Sequence, residues 1–380
     1  MIEIKTIDKK HTKFVESSLG RSLDNISGQL TFSMSQKNIE NIEIGVGVPI
    51  DVFIDGQQKF MGWVEFLEKT EEGTSTEQTF NARDIVSDFI DSSLPDSVKV
   101  FKTGMDAKIL IERVLSALKI KDVGVINRAG NIEPFSWMER VSAESGADAF
   151  GFVSDYLRKR GLFMNTDGMG NIVLFRITRN MPSEFSFENV IGGKNNVLTA
   201  GGKIDWSGRY NTYVCKSQVT VENSEQEEIS FNRKGIAVDS EIRESRYFEF
   251  VGEESMTSEE CKQRAEEEAN IRRARSLEYV VEVSGHSQNG KVFDIGKVAR
   301  VNDEENGVKG DFLIRAVTYR SSASEGDTTE IVMTYSDAYS LEAEITQRAM
   351  RKSDVGRFIS ERRERQGKKR GIDSEDFGDI

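Results

Sequence analysis

Histidine and cysteine carry much of the nucleophilic, acid–base and metal chemistry of proteins, and this chain has two of each. His11 and His286 lie far apart in the sequence, and neither stands at the spacing of a metal-ligand set or a catalytic triad. Cys215 and Cys261 form no paired-cysteine motif and no disulfide framework, which predicts small, buried residues. We therefore predict no catalytic, cofactor-binding or metal-binding residue.

Two glycine-rich stretches and one acidic loop match ligand motifs only in part. The Gly-Gly-Lys stretch at 192–194 lacks the Ser or Thr and the upstream glycine of a phosphate loop, and Gly-Val-Gly at 45–47 has no third glycine. Both are predicted to be ordinary loops. Asp303 begins a stretch similar to a calcium loop, but Ile314 takes the twelfth position, which requires a bidentate Glu. A glycosidase pair could lie among the many carboxylates, yet no pair stands out.

The stretch from Arg348 to Arg370 is strongly basic and carries only one aromatic residue, Phe358. Three interpretations stay open: a nucleic-acid arm, a docking peptide for an acidic partner, and a solvated tail. The single aromatic offers little base stacking, and the acidic stretch from Asp373 to Asp379 further disfavours DNA.

Length and charge limit the class of protein. A chain of 380 residues is long enough for two to four domains, and its net charge of −13 disfavours sequence-independent DNA binding. No apolar run approaches the ~20 residues that cross a bilayer, and the first residues lack the apolar core of a signal peptide. We expect a protein made in the cytoplasm and kept there unless an assembly carries it out.

Alternating apolar residues predict an antiparallel meander from Gly47 to Phe80. Asp55-Gly56 is a two-residue hairpin signal within it. A second meander with the same plan is predicted from Gly296 to Val332, with its turn at Asn306-Gly307. The spacing between glycines is similar in both, from 47 to 62 and from 296 to 310. We interpret the chain as two similar small β-barrels, with these four glycines serving turns or close backbone approach.

Helical and strand signals fill the remainder of the chain. Before residue 180 they predict a strand at Gln29–Ser33, helices at Asn81–Ile90, Thr103–Leu118 and Trp137–Arg160 (with a new cap at Asp148), and a hairpin around residues 167–170. After it they predict strands at 197–203, 211–217, 219–221 and 277–283, a polar loop at 223–228, and a helix from Thr257, capped with Glu260, to Arg275. The three tryptophans, Trp63, Trp137 and Trp206, are predicted to be core residues.

Three stretches resemble phage tail hub proteins of the late-control-D class. The first is the Gly47–Phe80 meander followed by Asn-Ala-Arg-Asp-Ile at 81–85, and the second is Gly-Arg-Tyr-Asn-Thr-Tyr-Val at 208–214. The third runs from Val-Ser-Gly-His at 283–286 through Gly-Asp-Phe-Leu-Ile at 310–314 to Thr-Thr-Glu-Ile-Val at 328–332. The resemblance covers roughly residues 1 to 340, and its motifs are structural glycines and strand patterns.

The resemblance implies an α+β fold that is predominantly antiparallel β. It implies a first tube-like barrel at 1–90, an inserted α/β domain at 91–185, a second tube-like barrel at 186–345 with an intervening helix, and a charged tail at 346–380. It further implies a homotrimeric ring in the virion baseplate, assembled in the host cytoplasm. Such a ring joins a tail tube or distal tail protein to a central spike, contacts other baseplate proteins, and passes DNA through its channel without specific binding.

Two alternatives stay open. A tail-associated peptidoglycan hydrolase is disfavoured because the expected His or Cys chemistry and a distinct extra domain are not found. A hub component of a related contractile secretion machine usually continues into a long Gly-rich spike, which this sequence does not contain.

Overall fold

The computed structural model describes residues 1–6, 10–12, 14–35, 44–72, 75–100, 105–132, 134, 143–144, 146–158, 161–178, 180–222, 228–252 and 256–339. Strands outnumber helices in these residues, and most strand pairs are antiparallel. The predicted fold class, predominantly antiparallel β with a smaller helical share, is confirmed. The predicted charged tail, with its basic run from Arg348, lies outside the described residues.

The first part of the chain is a series of antiparallel strands. They are β1 (Ile2–Lys5), β2 (Lys10–His11), β3 (Glu16–Ser22), β4 (Gln29–Ser35), β5 (Pro49–Ile54), β6 (Gln57–Glu72) and β7 (Ser75–Asp84). The predicted turn between β5 and β6 is confirmed, with φ of 48° at Asp55 and 79° at Gly56. Positive φ at both positions is what a type I′ hairpin turn requires.

The predicted helix at Asn81–Ile90 is wrong in its first half. Residues 81–84 complete β7, because they pair with β4 on one side and β6 on the other. Helix α1 covers only Ser87–Asp91. Two neighbouring strands therefore override the local helical pattern.

The middle of the chain is a small α/β unit. Its elements are α2 (Ala107–Ala117), β8 (Gly124–Asn127), α3 (Ala149–Arg158), β9 (Phe163–Thr166) and β10 (Asn171–Phe175). The strand order is β8-β10-β9, with β8 and β10 parallel and the predicted β9–β10 hairpin antiparallel. Apolar faces of α1, α2 and α3 pack on this sheet in one core.

The cap of α2 differs from the predicted one, whereas the predicted cap of α3 is confirmed. Asp106, not Thr103, caps α2, because its carboxylate accepts the backbone N–H of Ile109 at 2.9 Å; Thr103 lies outside the described residues. Asp148 accepts the N–H of Gly151 at the start of α3, as predicted. Most of residues 137–148, including Trp137, is outside the described ranges.

The next part adds two strands of the main sheet and a separate sheet under a helix. β11 (Ser183–Asn189) and β12 (Thr199–Ile204) precede β13 (Thr212–Glu222), β14 (Glu228–Val238) and β15 (Tyr247–Val251), and α4 spans Ser258–Arg275. Thr257 and Glu260 form the predicted capping box of α4. The helix packs on β13 and β14 through small residues such as Cys261 and Ala265. The polar loop predicted at 223–228 lies almost wholly outside the described residues.

The last part forms the second predicted meander. Its strands are β16 (Leu277–Ser284), β17 (Ser287–Gln288), β18 (Lys291–Val292), β19 (Val298–Asp303), β20 (Val308–Ser322) and β21 (Gly326–Thr334). One sheet runs in the order β12-β16-β21-β20-β3-β4-β7-β6-β5-β1-β2, with β19 and β11 attached beside β20. Both meanders share one apolar core. Closure of each half into a barrel, and the division at residues 90, 185 and 345, stay predictions.

Candidate assembly interface

The two meanders are built alike at the level of individual backbone hydrogen bonds. The N–H of Gly47 donates to the carbonyl of Val64 at 2.7 Å, and the N–H of Gly296 donates to the carbonyl of Ile314 at 2.9 Å. Both glycines have positive φ, of 85° and 71°. Gly47 and Gly296 are therefore equivalent positions, as their similar surroundings in the sequence predict.

Strand registers extend this equivalence along both meanders. In β6 a register shift separates Val64 from Phe66, and in β20 the same kind of shift separates Ile314 from Ala316. On the far side of the meander, Leu30 of β4 pairs with Ala82, and Tyr279 of β16 pairs with Met333. β4, β5, β6 and β7 thus correspond to β16, β19, β20 and β21.

Gly62 and Gly310 are not equivalent positions, although their spacing suggested it. Gly62 pairs with Ile50, next to the end of the β5–β6 ladder, and the equivalent pair in the second meander is Phe312 with Ala299. Gly310 pairs instead with Val301, near the start of β20. Counting residues from the first glycine misses the different turn lengths of the two meanders. Each glycine nevertheless has a backbone role: a Cβ on Gly62 would lie 2.0 Å from the carbonyl oxygen of Arg83, and Gly310 has a φ of 145°.

The two halves are joined side by side through β3 and β20. The antiparallel pairing runs from Ala316 opposite Ser22 to Ser322 opposite Glu16. The first part of β20 pairs instead with β19, so the strand serves two neighbours along its length. One chain therefore contains two similarly built sheet units and one complete junction between them.

A buried ion cluster lies beside this junction. Arg21 of β3 donates to Asp294 at 2.7 Å, and Lys59 of β6 donates to the other carboxylate oxygen at 2.8 Å. The Arg21 side chain is only 4% exposed, and its guanidinium also donates to the carbonyl of Thr166 in the α/β unit. Burial would raise the pKa of Asp294, but the charges of Arg21 and Lys59 hold that pKa below its usual value. The cluster ties both halves and the α/β unit together.

Asp84 is a second buried carboxylate next to the cluster. It accepts the backbone N–H of Val86 at 3.2 Å and the hydroxyl of Thr166 at 3.0 Å. Burial raises the pKa of Asp84 to about 6, although both hydrogen bonds and the charge of Arg21 act in the opposite direction. Sequence reasoning found neither carboxylate, because Arg21 and Lys59 lie far from Asp294 in the sequence and Thr166 lies far from Asp84.

The histidines and cysteines lie in structural positions. His286 is buried with its Nδ1 2.9 Å from the hydroxyl of Thr329, and burial lowers its pKa. His11 is also buried, 3.4 Å from the Thr6 hydroxyl.

The predicted burial of Cys215 and Cys261 is confirmed. Their thiols are hydrogen-bonded neighbours, and burial raises the pKa of Cys215 to about 12.

The loops that resemble ligand motifs show no ligand-like arrangement of donors. Residues 192–194 form part of the turn between β11 and β12, and residues 45–47 lead into β5. The carboxylate of Asp303 accepts from Asn189, Asn306 and Tyr279, so its oxygens are already engaged. The described ranges contain no cluster of His, Cys, Asp or Glu able to hold a metal ion. The absence of catalytic and cofactor residues stays a prediction.

Large apolar side chains on the surface correct one prediction. Trp63 is 37% exposed and Trp206 is 49% exposed, so neither is a core residue. Ile204 on β12 is 70% exposed and Phe66 on β6 is 48% exposed. Within the part of the chain that the structure describes, no helix is long and apolar enough to cross a membrane.

Comparison with known proteins agrees with this architecture. The sequence is 22% identical to the baseplate hub protein of Escherichia phage Mu over 338 residues, which are 84% of each chain. The chain is similar to phage tail hub proteins. The predicted resemblance is thereby confirmed. No family model matches the sequence.

Two solved structures have the same fold. The 43 kDa tail protein of prophage MuSo2 from Shewanella oneidensis superposes with a TM-score of 0.75 at 23% identity, and a tail protein from Neisseria meningitidis with a TM-score of 0.73 at 16% identity. Each comparison covers 89% of this chain and 98% of the other. The fold shared with these tail proteins therefore covers 89% of this chain.

Proposed function

We propose that the chain is the structural hub of a phage tail baseplate and acts as a homotrimeric ring. The observation that carries the proposal is the fusion of two similarly built sheet units through β3 and β20. Three such chains present six similar units around a threefold axis. A ring of this kind matches a hexameric tail tube on one face and a trimeric central spike on the other.

The proposed ring encloses a channel through which DNA passes without specific binding. A net charge of −13 supports this role, because an acidic lumen would repel phosphates and keep DNA from adhering. The similarity to a phage baseplate hub supports a location in the virion tail, with assembly in the host cytoplasm.

The proposed role is structural rather than enzymatic. The chain's similarity to a protein named as a baseplate hub supports this, as do the structural positions of both histidines and both cysteines. A zymogram on purified cell wall checks the hydrolase alternative: clearing by the purified protein would contradict the proposal.

Light scattering on the purified protein, followed by electron-microscope averages, tests the proposed assembly. We expect a mass of three chains and a ring with six peripheral lobes around a central hole. A protein that stays monomeric at every concentration, also with the tube and spike proteins added, would overturn the proposal. Binding of the ring to purified tail tubes should be retained after the tubes are washed.

A further inference from the structure

Two strand edges equivalent to those of the internal junction have no strand partner among the described residues. β3 stands in the first half where β12 stands in the second: Leu19 of β3 pairs with Leu30 of β4, and Gly202 of β12 pairs with Tyr279 of β16. Leu30 and Tyr279 are themselves equivalent. β12 is therefore the counterpart of β3, and β6 is the counterpart of β20.

The free edge of β12 has the backbone orientation that β3 uses in the internal junction. The N–H of Asp205 donates to the carbonyl of Ser276 in the β12–β16 ladder. Bonded residues alternate along an antiparallel pair, so Ala200, Gly202 and Ile204 turn their N–H and C=O groups to the open side. These three residues are the counterparts of Ser17, Leu19 and Arg21 in β3. The N–H of Leu23 donates to the carbonyl of Arg315 in β20, so by the same alternation the backbone groups of Ser17, Leu19 and Arg21 also face β20.

The second half of β6 has an unpaired outer edge among the described residues, whereas the equivalent edge of β20 pairs with β3. β5 pairs with β6 only as far as Trp63, with one further pair of hydrogen bonds at Val64. The outer edge from Phe66 to Glu72 has no strand partner among the described residues. In β20 the equivalent stretch, from Ala316 to Ser322, is the one that pairs with β3.

We propose that β12 of one copy pairs antiparallel with Phe66–Glu72 of β6 in a second copy. This inference rests on the proposed ring and identifies its subunit junction. Transferring the register of β3 and β20 places Ile204 opposite Leu67 and Lys203 opposite Glu68. The first is an apolar pair on the core side of the sheet, and the second is a pair of opposite charges.

The exposure of side chains on β12 and β6 supports the same pairing of the two strands. Ile204 shares its face of the sheet with the buried Leu277 but is itself 70% exposed, so an apolar residue on the core side lacks a cover. The Lys203 side chain is 72% exposed, and Glu68 is exposed. Strand addition to an open edge would bury Ile204 and give Lys203, which contacts Asp205 at 3.4 Å, a second acidic partner.

The partner strand comes from another copy of the chain, because each copy carries both matching edges. β12 and β6 are separated by six strands in the sheet order, and in the described structure they are not paired with each other. The two edges belong to different surfaces, so the contact is head-to-tail and closes into a ring when the rotation allows it. Each copy then contributes one internal junction and one junction to its neighbour.

Cysteine cross-linking tests the register directly. Lys203 and Glu68 form a non-hydrogen-bonded pair in the transferred register, where Cα atoms come within about 4.5 Å, a distance that a disulfide spans. The variant with Lys203→Cys and Glu68→Cys should give, after mild oxidation, a ladder of covalent species ending at three chains. The matched control with Lys203→Cys and Glu72→Cys should give less than one tenth as much.

Charge reversal gives an independent readout by light scattering. Lys203→Glu and Glu68→Lys should each weaken assembly at least about tenfold, and the double variant should recover most of it. Val251→Lys, at an 81% exposed position on β15, is the surface control and should not change the mass.

The outcomes separate this inference from the proposed function. A trimer that shows neither the 203–68 cross-link nor any effect of charge reversal would overturn the β12–β6 junction and leave the hub standing. A protein that is monomeric under all conditions would overturn both.

Discussion

Arg21 and Asp294 form an ion pair of 2.7 Å across 273 residues of sequence. Lys59 contacts the same carboxylate, so one acid of the second half balances the charges of two cations of the first half. Asp294→Asn should therefore lower the free energy of unfolding by about 3–5 kcal/mol, the cost of leaving buried charge unpaired. Urea unfolding followed by circular dichroism measures it.

An exposed ion pair provides the control for this change. Arg300 pairs with Asp311 at 2.9 Å, but the Arg300 side chain is 66% exposed. Asp311→Asn should cost less than about 1 kcal/mol, since solvent screens the pair. Equal losses in both variants would contradict a stabilising role of the buried cluster.

Asp84 makes stability depend on pH in an unusual direction. Its folded pKa of about 6 lies above its ordinary value of 3.8, so the folded state binds the proton more tightly than the unfolded state. Stability contributed by the protonated acid is fully present below pH 3.8 and is lost as the pH rises through 6, by up to about 3 kcal/mol.

Asp84→Asn tests this pH dependence. We expect the free energy of unfolding of the variant, relative to the wild type, to increase between pH 4 and pH 7 in urea titrations. A difference that stays constant over this range would show that Asp84 has an ordinary pKa.

Gly62 is expected to tolerate no side chain. A Cβ there would lie 2.0 Å from the Arg83 carbonyl oxygen, which belongs to the rigid backbone of β7. Gly62→Ala should cost about 3 kcal/mol, the upper end for overpacking. Gly45→Ala is the control, because its Cβ meets nothing within 4 Å, and it should change the midpoint of thermal unfolding by only a degree or two. A stable Gly62→Ala variant would disprove the close approach.

The thiols of Cys215 and Cys261 should be unreactive in the folded protein. Both are buried, and the pKa of Cys215 is raised to about 12, so little thiolate forms at neutral pH. A thiol reagent should label them only in urea, whereas the exposed control variant Val251→Cys should gain one label at once. Rapid labelling of the wild type without urea would contradict the packing of α4 on β13.

The capping box of α4 has a measurable share in stability. Thr257 accepts the N–H of Glu260 at 3.1 Å, and the Glu260 carboxylate accepts the N–H of Thr257 at 2.6 Å. Thr257→Ala should cost about 1 kcal/mol, while Thr257→Ser keeps the hydroxyl and should lose little. Thermal unfolding of the three proteins compares them; similar midpoints would show that the box contributes nothing.

Local signals in the sequence predicted the local structure well. Asp55-Gly56 and the Thr257–Glu260 box need only their own neighbours, and both are confirmed. The helix expected from Asn81 failed because residues 81–84 pair with the preceding strand β6 and with β4, which lies further back in the sequence. The same reason hides the ion cluster around Asp294, whose partners lie more than 230 residues away.

Size and hydrophobicity misled the prediction for tryptophan. Trp63 and Trp206 are large and apolar, which favours the core, but their strand and turn positions face outward. Similarly, the glycine spacing suggested a match of Gly62 with Gly310 that only the strand registers could correct.

The pairing of β3 with β20 also means that one edge of β3 has no partner during most of the chain's synthesis. The edge of β3 is complete once residue 22 has left the ribosome, but its partner at residues 316–322 follows roughly 300 residues later. At about 5–20 residues per second, that edge stays uncovered for roughly 15–60 s in every nascent chain. Nascent chains on one messenger would thus expose identical unpaired strand edges to each other, and such edges are templates for pairing between chains.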